Sequence, residues 1–466
     1  MYIERQLEKK FVAINEEYAC VLLTGPRQVG KSTMLRHLME GTARAEVSLD
    51  DLEERRLAKT DPAMFLKLHP APVLIDEVQY APELFSYIKI AVDNGAAPGS
   101  YWLTGSQAYR LMELAQESLA GRTAILHMSA LSQSELCGAM EVSPFSLALD
   151  ELQKRKALLS PATPNEIYQR IWDGALPGHR SGKYKDRDVF YSSYIQTYID
   201  RDVTTDIPGV DKVMFADFIR AAACRSGQML NLHDIAGDVG VSDDTAKRWM
   251  KELEKSGIVF FLHPYSNNLL KRTIKTPKMY FFDTGLVCYL TRYSSPEILM
   301  NGAINGAILE NYVVSEIMKT YSNSAKDCLL HYYRDKNSNE IDLIMESDGQ
   351  LHPIEIKKKH QPAHTSYGGF QAARQGLRAE RNRRNYLSSG DIKRNRQQHI
   401  YRPCVDDLIS LPKSKYSNTA AWFPREIKRL FLLKDLILFV LIGKFFLCAE
   451  KDSILVCLYT KCAVLV

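Results

Sequence analysis

Over the first 130 residues the chain alternates short, nearly continuous apolar runs with longer stretches of helical period. The runs predict strands near 20–24, 45–49, 73–76, 101–104 and 124–129. Unbroken apolar strands separated by helices belong to a parallel sheet covered on both faces, so an α/β unit ending near residue 140 is expected. Residues 141–205 read as helical with a break at "DGALPGH", and the aromatic row of "VFYSSYIQTYIDRDV" reads as core packing rather than a stacking platform. In 206–285, "LNLHDIAGDVGVSDDTAKRWMKELEKSG" predicts a helix, a turn at Gly240 and a second helix from near Ser242 to Gly257. A hairpin through Asn267-Asn268 follows, which completes the pattern of a winged helix. Residues 286–370 then offer a helix with an Ile308, Tyr312, Ile317 stripe. Three strands come next, "CLLHYYRD", "EIDLIME" and "LHPIEIK", with a turn at Asp348-Gly349, an antiparallel meander in an α+β unit.

Beyond residue 370 the texture changes. The segment 371–466 starts Arg- and Asn-rich without period and ends apolar, with Cys404, Cys448, Cys457 and Cys462 in its last part. It reads either as a basic nucleic-acid arm or as the product of a frameshift near 370 that replaced the native end. Its apolar stretch from Leu430 to Cys448 carries Lys434, Asp435 and Lys444 where a bilayer is driest, so no membrane span is expected.

Composition narrows the class only a little. An apolar share of 45% and a charged share of 25% in 466 residues are those of a globular chain of several domains. Sixty basic against 55 acidic residues leave +5, which permits a nucleic-acid partner without requiring one. Nine cysteines without a Cys-x-x-Cys pair suit a reducing cytosol better than a disulfide framework or zinc site, and "MYIERQLEKKF" lacks the apolar run of a signal peptide. A cytoplasmic protein is expected.

Chemistry concentrates first in "YACVLLTGPRQVGKSTMLRHLME". Gly25, Gly30, Lys31 and Ser32 fit G-x-x-x-x-G-K-[ST], with the strand before and the helix after that the motif needs. Backbone N–H groups of Gly25, Pro26, Arg27, Gln28, Val29, Gly30, Lys31, Ser32 and Thr33 (Pro26 apart, which has none) and the helix start are placed to wrap ATP phosphates. Lys31 would reach the outer phosphates, and Ser32 would ligate Mg2+. The strand in "APVLIDEVQ" ends in Asp76 and Glu77, a second magnesium ligand and a carboxylate to polarise the attacking water. The alternative for the acidic pair is a helix-capping loop. Thr104 and Ser106 end another strand, where a hydroxyl can sense the γ-phosphate. Arg122, just before a strand, serves either as an arginine finger or as the partner of an acid; Arg201 and Asp202 either meet the nucleotide site from outside or form a structural ion pair.

Together "LTGPRQVGKST", "VLIDEVQYAPELF", "WLTGSQ" and "ESLAGR" with "ALSQSEL" resemble the prokaryotic AAA-type ATPases that carry a C-terminal domain of unknown function. The likeness continues through "YIDRDV", "PKMYFFDTGL" and "EIDLI" with "IEIK", to about residue 370. It implies an AAA/ASCE-type P-loop core and is compatible with a homo-oligomer.

In the predicted winged helix the second helix opens with Asp243 and Asp244, which a phosphate-lined groove repels, and carries Lys247, Arg248 and Lys251 further on. The hairpin offers Lys271, Arg272, Lys275 and Lys278 to phosphates. DNA reading, backbone contact and protein docking stay open for it. Further along, Glu310, Asp342 and Glu355-x-Lys357 line up in the order of the PD-(D/E)XK, restriction-endonuclease-like fold, which this part resembles. Chemistry there needs Asp342 and Glu355 on a magnesium ion, Glu310 completing the shell and Lys357 activating water. The plain alternative is the charged face of a half-exposed sheet. The leading expectation is an Mg2+-dependent ATP hydrolase whose turnover moves the C-terminal units. The others are a DNA-binding protein or nuclease switched by ATP, and an ATP-gated scaffold for a protein partner.

Overall fold

The computed structural model describes residues 2–106, 119–141, 144–158, 162–266, 276–335, 337–347 and 350–358, with three strands at 438–442, 445–450 and 453–458. The turns at Asn267-Asn268 and Asp348-Gly349, the cations Lys271, Arg272 and Lys275, and most of the segment beyond 370 lie outside the described residues.

The first sheet contains β1 (Cys20–Thr24), β2 (Ala45–Ser48), β3 (Val73–Asp76), β4 (Tyr101–Gly105) and β5 (Thr123–His127), in the order β2-β3-β4-β1-β5. Every pairing is parallel. Period-two alternation divides its apolar residues between two cores. Cys20, Leu22, Val73, Ile75, Tyr101 and Leu103 pack one way, with Phe65, Leu84, Phe85 and Ile88 of the covering helices. Val21, Leu23, Leu74, Trp102 and Leu126 pack the other way, with Leu7, Phe11, Met34 and Leu35. That second core does not stop at residue 140. It runs on through Tyr168, Tyr191, Phe215, Trp249, Phe281, Tyr312 and Leu343 to Ile356. The aromatic row is core, as its spacing predicts: Phe190, Tyr191, Tyr194 and Tyr198 are all buried.

The helix Arg187–Tyr198 runs into one π-helical turn, Ile199–Val203. The helix Leu232–Val239 ends at Gly240, and the helix Asp243–Lys255 starts on a cap in which the Ser242 side chain accepts from Thr245 N–H. Behind them stands an antiparallel sheet of β6 (Gln228–Met229), β7 (Val259–Leu262) and β8 (Lys278–Phe281), in the order β6-β8-β7.

The helix Asn305–Ser322 packs on β9 (Leu330–Arg334), β10 (Glu340–Ser347) and β11 (Gln350–Lys358), an antiparallel meander. This sheet continues in β12 (Leu438–Ile442), β13 (Phe445–Glu450) and β14 (Ser453–Leu458), with β14 parallel to β11. Among the described residues no helix is long and apolar enough to cross a membrane. The E-x-K strand is not simply an exposed charged face: Glu355 is buried, while the Lys357 side chain is 39% exposed. Lys278 is not offered to phosphates either: it is 3% exposed and ion-paired to Glu310 and Glu340.

Phe215 is fully buried, with ring centroids 5.2 Å from Trp249 and 6.2 Å from Phe218. Phe215→Ala is expected to cost about 3–5 kcal/mol. Urea unfolding followed by tryptophan fluorescence measures it, and a loss below about 1 kcal/mol contradicts the shared core.

Candidate nucleotide site

The loop between β1 and the helix Lys31–Met39 turns over its glycines. Gly25 stands at φ +146°, and a Cβ there would fall 2.2 Å from the carbonyl oxygen of Met128, so no side chain fits. Gln28 and Gly30 also take positive φ, at 58° and 96°. Thr33 is exposed on the first helical turn.

Lys31 is buried, and its Nζ donates to the carbonyls of Gly25 and Pro26, each at 2.8 Å. Burial pushes its ammonium down to about 8, against the pull of Glu77 and Asp76. A phosphate at this loop would give the charge the partner that burial has taken away. Ser32 Oγ lies 3.0 Å from both carboxylate oxygens of Asp76, which joins the loop to the tip of β3. Asp76 is pushed up to about 6, by burial first and by the neighbouring Glu77 second.

Glu77 sits in the left-handed region at φ 56°, uncommon for a residue with a side chain and concentrated at functional sites. Its Oε2 accepts from Gln79 Nε2 at 2.5 Å, and Ser106 N and Oγ lie 3.3 and 3.4 Å away. Thr104, on β4 between β1 and β3, is fully buried, and its Oγ1 has no partner among the described residues. Lys31, Ser32, Asp76, Glu77, Thr104 and Ser106 therefore converge on one end of the sheet. The capping alternative for the acidic pair fails for Glu77, whose side chain makes no cap bond to the turn Val78–Tyr80.

Arg122 does not join them. It precedes β5, at the end of the sheet opposite the loop, pairs with Asp93 at 2.5 Å and donates to the Ala120 carbonyl at 3.1 Å. Of its two readings, the acid partner is the one found within this chain. For Arg201 and Asp202 both readings meet: Arg201 pairs with Asp50 at 3.1 Å, while Asp202 forms a two-pronged ion pair with Arg27 of the loop itself, one prong at 2.7 Å.

Two contributors carry no motif. Arg5 is 2% exposed and donates to Val29 O at 2.7 Å, to Ser129 O at 2.7 Å and to Glu135 Oε1 at 2.9 Å. It braces the loop against the turn after β5. Gln79, in "DEVQ", holds Glu77. Only its distance of two from the acid hints at that, whereas Arg5 in "YIERQ" gives no signal.

The C-terminal carboxylates assemble differently from expectation. Glu310 accepts from Lys278 at 2.8 Å and Tyr280 at 2.6 Å; Lys278 also holds Glu340 at 2.6 Å. Lys357 pairs with Glu355 at 2.6 Å and stands 3.7 Å from Asp342, which accepts from Ile356 N–H at 2.8 Å. Burial, then Asp342, pushes both Glu310 and Glu355 up to about 7. Among the described residues no group of three such side chains is arranged to hold a metal ion. Glu310, Asp342 and Glu355 thus each stand beside a lysine, Lys278 or Lys357, as a buried negative cluster needs nearby positive charge.

Residues 17–137 match a family model described as an AAA domain. The parallel sheet and glycine loop within those residues have a P-loop arrangement. Residues 165–297 and 305–405 match two further models, each described as a domain of unknown function (DUF8612 and DUF4143). Uncharacterized proteins of Mycobacterium bovis and Mycobacterium tuberculosis are each 28% identical over 404 residues, 84% of this chain and 83% of theirs. The Walker-type ATPase PABY2304 of Pyrococcus abyssi aligns with a TM-score of 0.40 at 16% identity, over 62% of this chain and 96% of that one. The RuvB Holliday junction branch migration motor of Thermotoga maritima aligns at 0.29 and 18%, over 55% and 89%.

Arg5→Ala strands Glu135, which is fully buried, without its cation. The expected loss is about 3–5 kcal/mol. Denaturant unfolding of Arg5→Ala beside Arg5→Lys tests it; equal stability of Arg5→Ala and wild type contradicts the bracing role.

Proposed function

We propose that the chain binds ATP at the Gly25–Thr33 loop and hydrolyses it with Mg2+. The observation that carries this reading is the meeting of Ser32 with both oxygens of Asp76 at 3.0 Å, beside a buried lysine that donates to two loop carbonyls. Backbone N–H groups of the loop and the start of the following helix hold the phosphates, and Lys31 exchanges its carbonyl partners for the outer phosphate oxygens. Ser32 and Asp76 are hard oxygen donors of the kind magnesium selects, and the ion bound there supplies charge neutralisation to the phosphates. Glu77, fixed by Gln79 and Ser106, orients the attacking water and accepts its proton. Thr104 offers its unpartnered hydroxyl to the terminal phosphate.

The elements from Leu232 to Phe281 are read as a winged helix, and those from Asn305 to Lys358 as a nuclease-like unit. Coupling between the nucleotide loop and these units is supported by Arg27 on Asp202 and by the chain from Arg5 through Glu135. Beside Glu135, Gln133 N–H donates to Glu316 Oε2 at 2.9 Å, on the helix that also carries Glu310.

Lys31→Ala is expected to lose ATP binding. Glu77→Gln is expected to keep binding and lose turnover by about 100-fold or more. Phosphate release with magnesium, measured beside nucleotide binding, separates the two; undiminished hydrolysis in both variants sinks the reading.

A second reading, nucleic-acid cleavage switched by ATP, has one observation in its favour: Glu355 Oε2 is buried without a partner among the described residues. Incubation of plasmid DNA with magnesium and ATP, wild type against Asp342→Ala, is expected to show cleavage only in wild type. Intact DNA in both removes it.

A further inference from the structure

Lys278 stands where two units meet. It lies on β8, the middle strand of the sheet β6-β8-β7, and its side chain reaches the unit that follows. There Nζ pairs with Glu310 of the helix Asn305–Ser322 at 2.8 Å and with Glu340 of β10 at 2.6 Å. It also lies 5.7 Å from the ring centre of Tyr332 on β9. Tyr280, two residues further along β8, gives Glu310 a second donor at 2.6 Å. Residues two apart on a strand share a face, so β8 approaches Glu310 with both side chains.

The neighbouring carboxylates are served less fully. Lys357 holds Glu355 through Oε1 at 2.6 Å and stands 3.7 Å from Asp342 Oδ2. Glu355 is 7% exposed, and its Oε2 has no partner among the described residues. A buried carboxylate oxygen without a donor is unfavourable until a cation or a proton reaches it. Asp342 lies close enough to Glu310 and Glu355 to push both upward. The three carboxyl groups therefore act on one another, yet they do not form a cation shell. A hard divalent ion needs several oxygen ligands at once, and Glu310 is taken up by Lys278 and Tyr280. A lysine fastened to β8 competes with a free ion at a high effective concentration, because it is part of the same molecule.

We infer that Lys278 is an internal inhibitor of the third unit: with β8 in place its ammonium occupies Glu310 and keeps a divalent cation from Glu310, Asp342 and Glu355, and withdrawal of β8 opens that set to the ion. The inference rests on the second reading above, cleavage switched by ATP, and names the switch. The sheet of β8 belongs to the same unit as the helix Asp243–Lys255. The turn that closes this helix lies on the nucleotide loop: Gly257 stands at φ +70°, and a Cβ there would fall 2.6 Å from Pro26 Cγ. In this scheme a shift of the loop reaches β8 through β7, which follows that turn and pairs with β8.

The test measures Mn2+ binding to the full chain by calorimetry without nucleotide, in wild type, Lys278→Gln, Tyr280→Phe and the double variant Lys278→Gln/Asp342→Asn. Lys278→Gln is expected to bind Mn2+ about tenfold more tightly than wild type, the order of one charged hydrogen bond taken from Glu310, and the double variant to lose that gain. Tyr280→Phe leaves every charge in place and is expected to tighten binding about threefold. Wild-type affinity in Lys278→Gln overturns the inference; where that variant does not unfold cooperatively, wild-type affinity in Tyr280→Phe does so. A gain that survives Asp342→Asn also overturns it, since the ion then binds elsewhere. Plasmid DNA with Mn2+ and no ATP separates the two readings. Cutting by Lys278→Gln but not by wild type supports both. Tighter Mn2+ binding with plasmid intact throughout upholds the inhibitor and removes the cleavage reading. Equal Mn2+ affinities beside ATP-dependent cutting by wild type uphold the cleavage reading and remove the inhibitor.

Discussion

One face of the parallel sheet, built from Val21, Leu23, Leu74, Trp102 and Leu126, is the surface on which the rest of the molecule is assembled. A strand buried on both sides must present apolar groups to both, and each fully buried aliphatic or aromatic side chain contributes roughly 1.5–3 kcal/mol. Among the described residues the opposite face is closed by helices of the first unit alone. This one is closed partly by Leu7, Phe11, Met34 and Leu35 and partly by residues from the second half of the chain. The helix that starts at Lys31 therefore belongs to the same core as Trp249 and Tyr312.

Electrostatics adds precision to what packing makes close. The loop contributes three charged or polar handles to its surroundings: the carbonyl of Val29 to Arg5, the guanidinium of Arg27 to Asp202 and the hydroxyl of Ser32 to Asp76. Each lies in surroundings where an unmatched partner is expensive, so each fixes position more than it adds stability. Asp202 lies in a π-helical turn, a geometry that is rare and concentrated at functional sites. The turn places its carboxylate on Arg27 while Ile199 and Val203 stay in the core.

How much of this could be read from residue order depends on the range of the interaction. The five strands, the loop and the acidic pair were legible because a strand followed by G-x-x-x-x-G-K-S and an apolar run ending in Asp-Glu are local patterns with local causes. The helix starting at Ser242 was legible for the same reason: its cap lies in the residues beside it. The direction in which that helix faces was not. Lys247, Arg248 and Lys251 look alike along the chain, and only the contact of Gly257 with Pro26, 231 positions apart, decides what they confront. Arg5 and Glu135, 130 positions apart, were illegible on the same ground.

The E-x-K strand shows what a correct pattern can leave undecided. Alternation puts Glu355 and Lys357 on one face of β11, and the meander brings Asp342 beside them, as the spacing requires. It says nothing of Lys278, which arrives on β8 from another sheet and takes up Glu310 and Glu340. A buried ammonium between two carboxylates meets part of the charge demand that a divalent cation would otherwise meet. It also joins β8 to the helix Asn305–Ser322 and to β10, so the same pairs that draw Glu310 away from a metal shell fasten the third unit to the second. The carboxylates that resemble a cleavage site thus have a mechanical use wherever Lys278 remains between them, and chemistry at Asp342 and Glu355 would have to proceed with Glu310 committed to that joint.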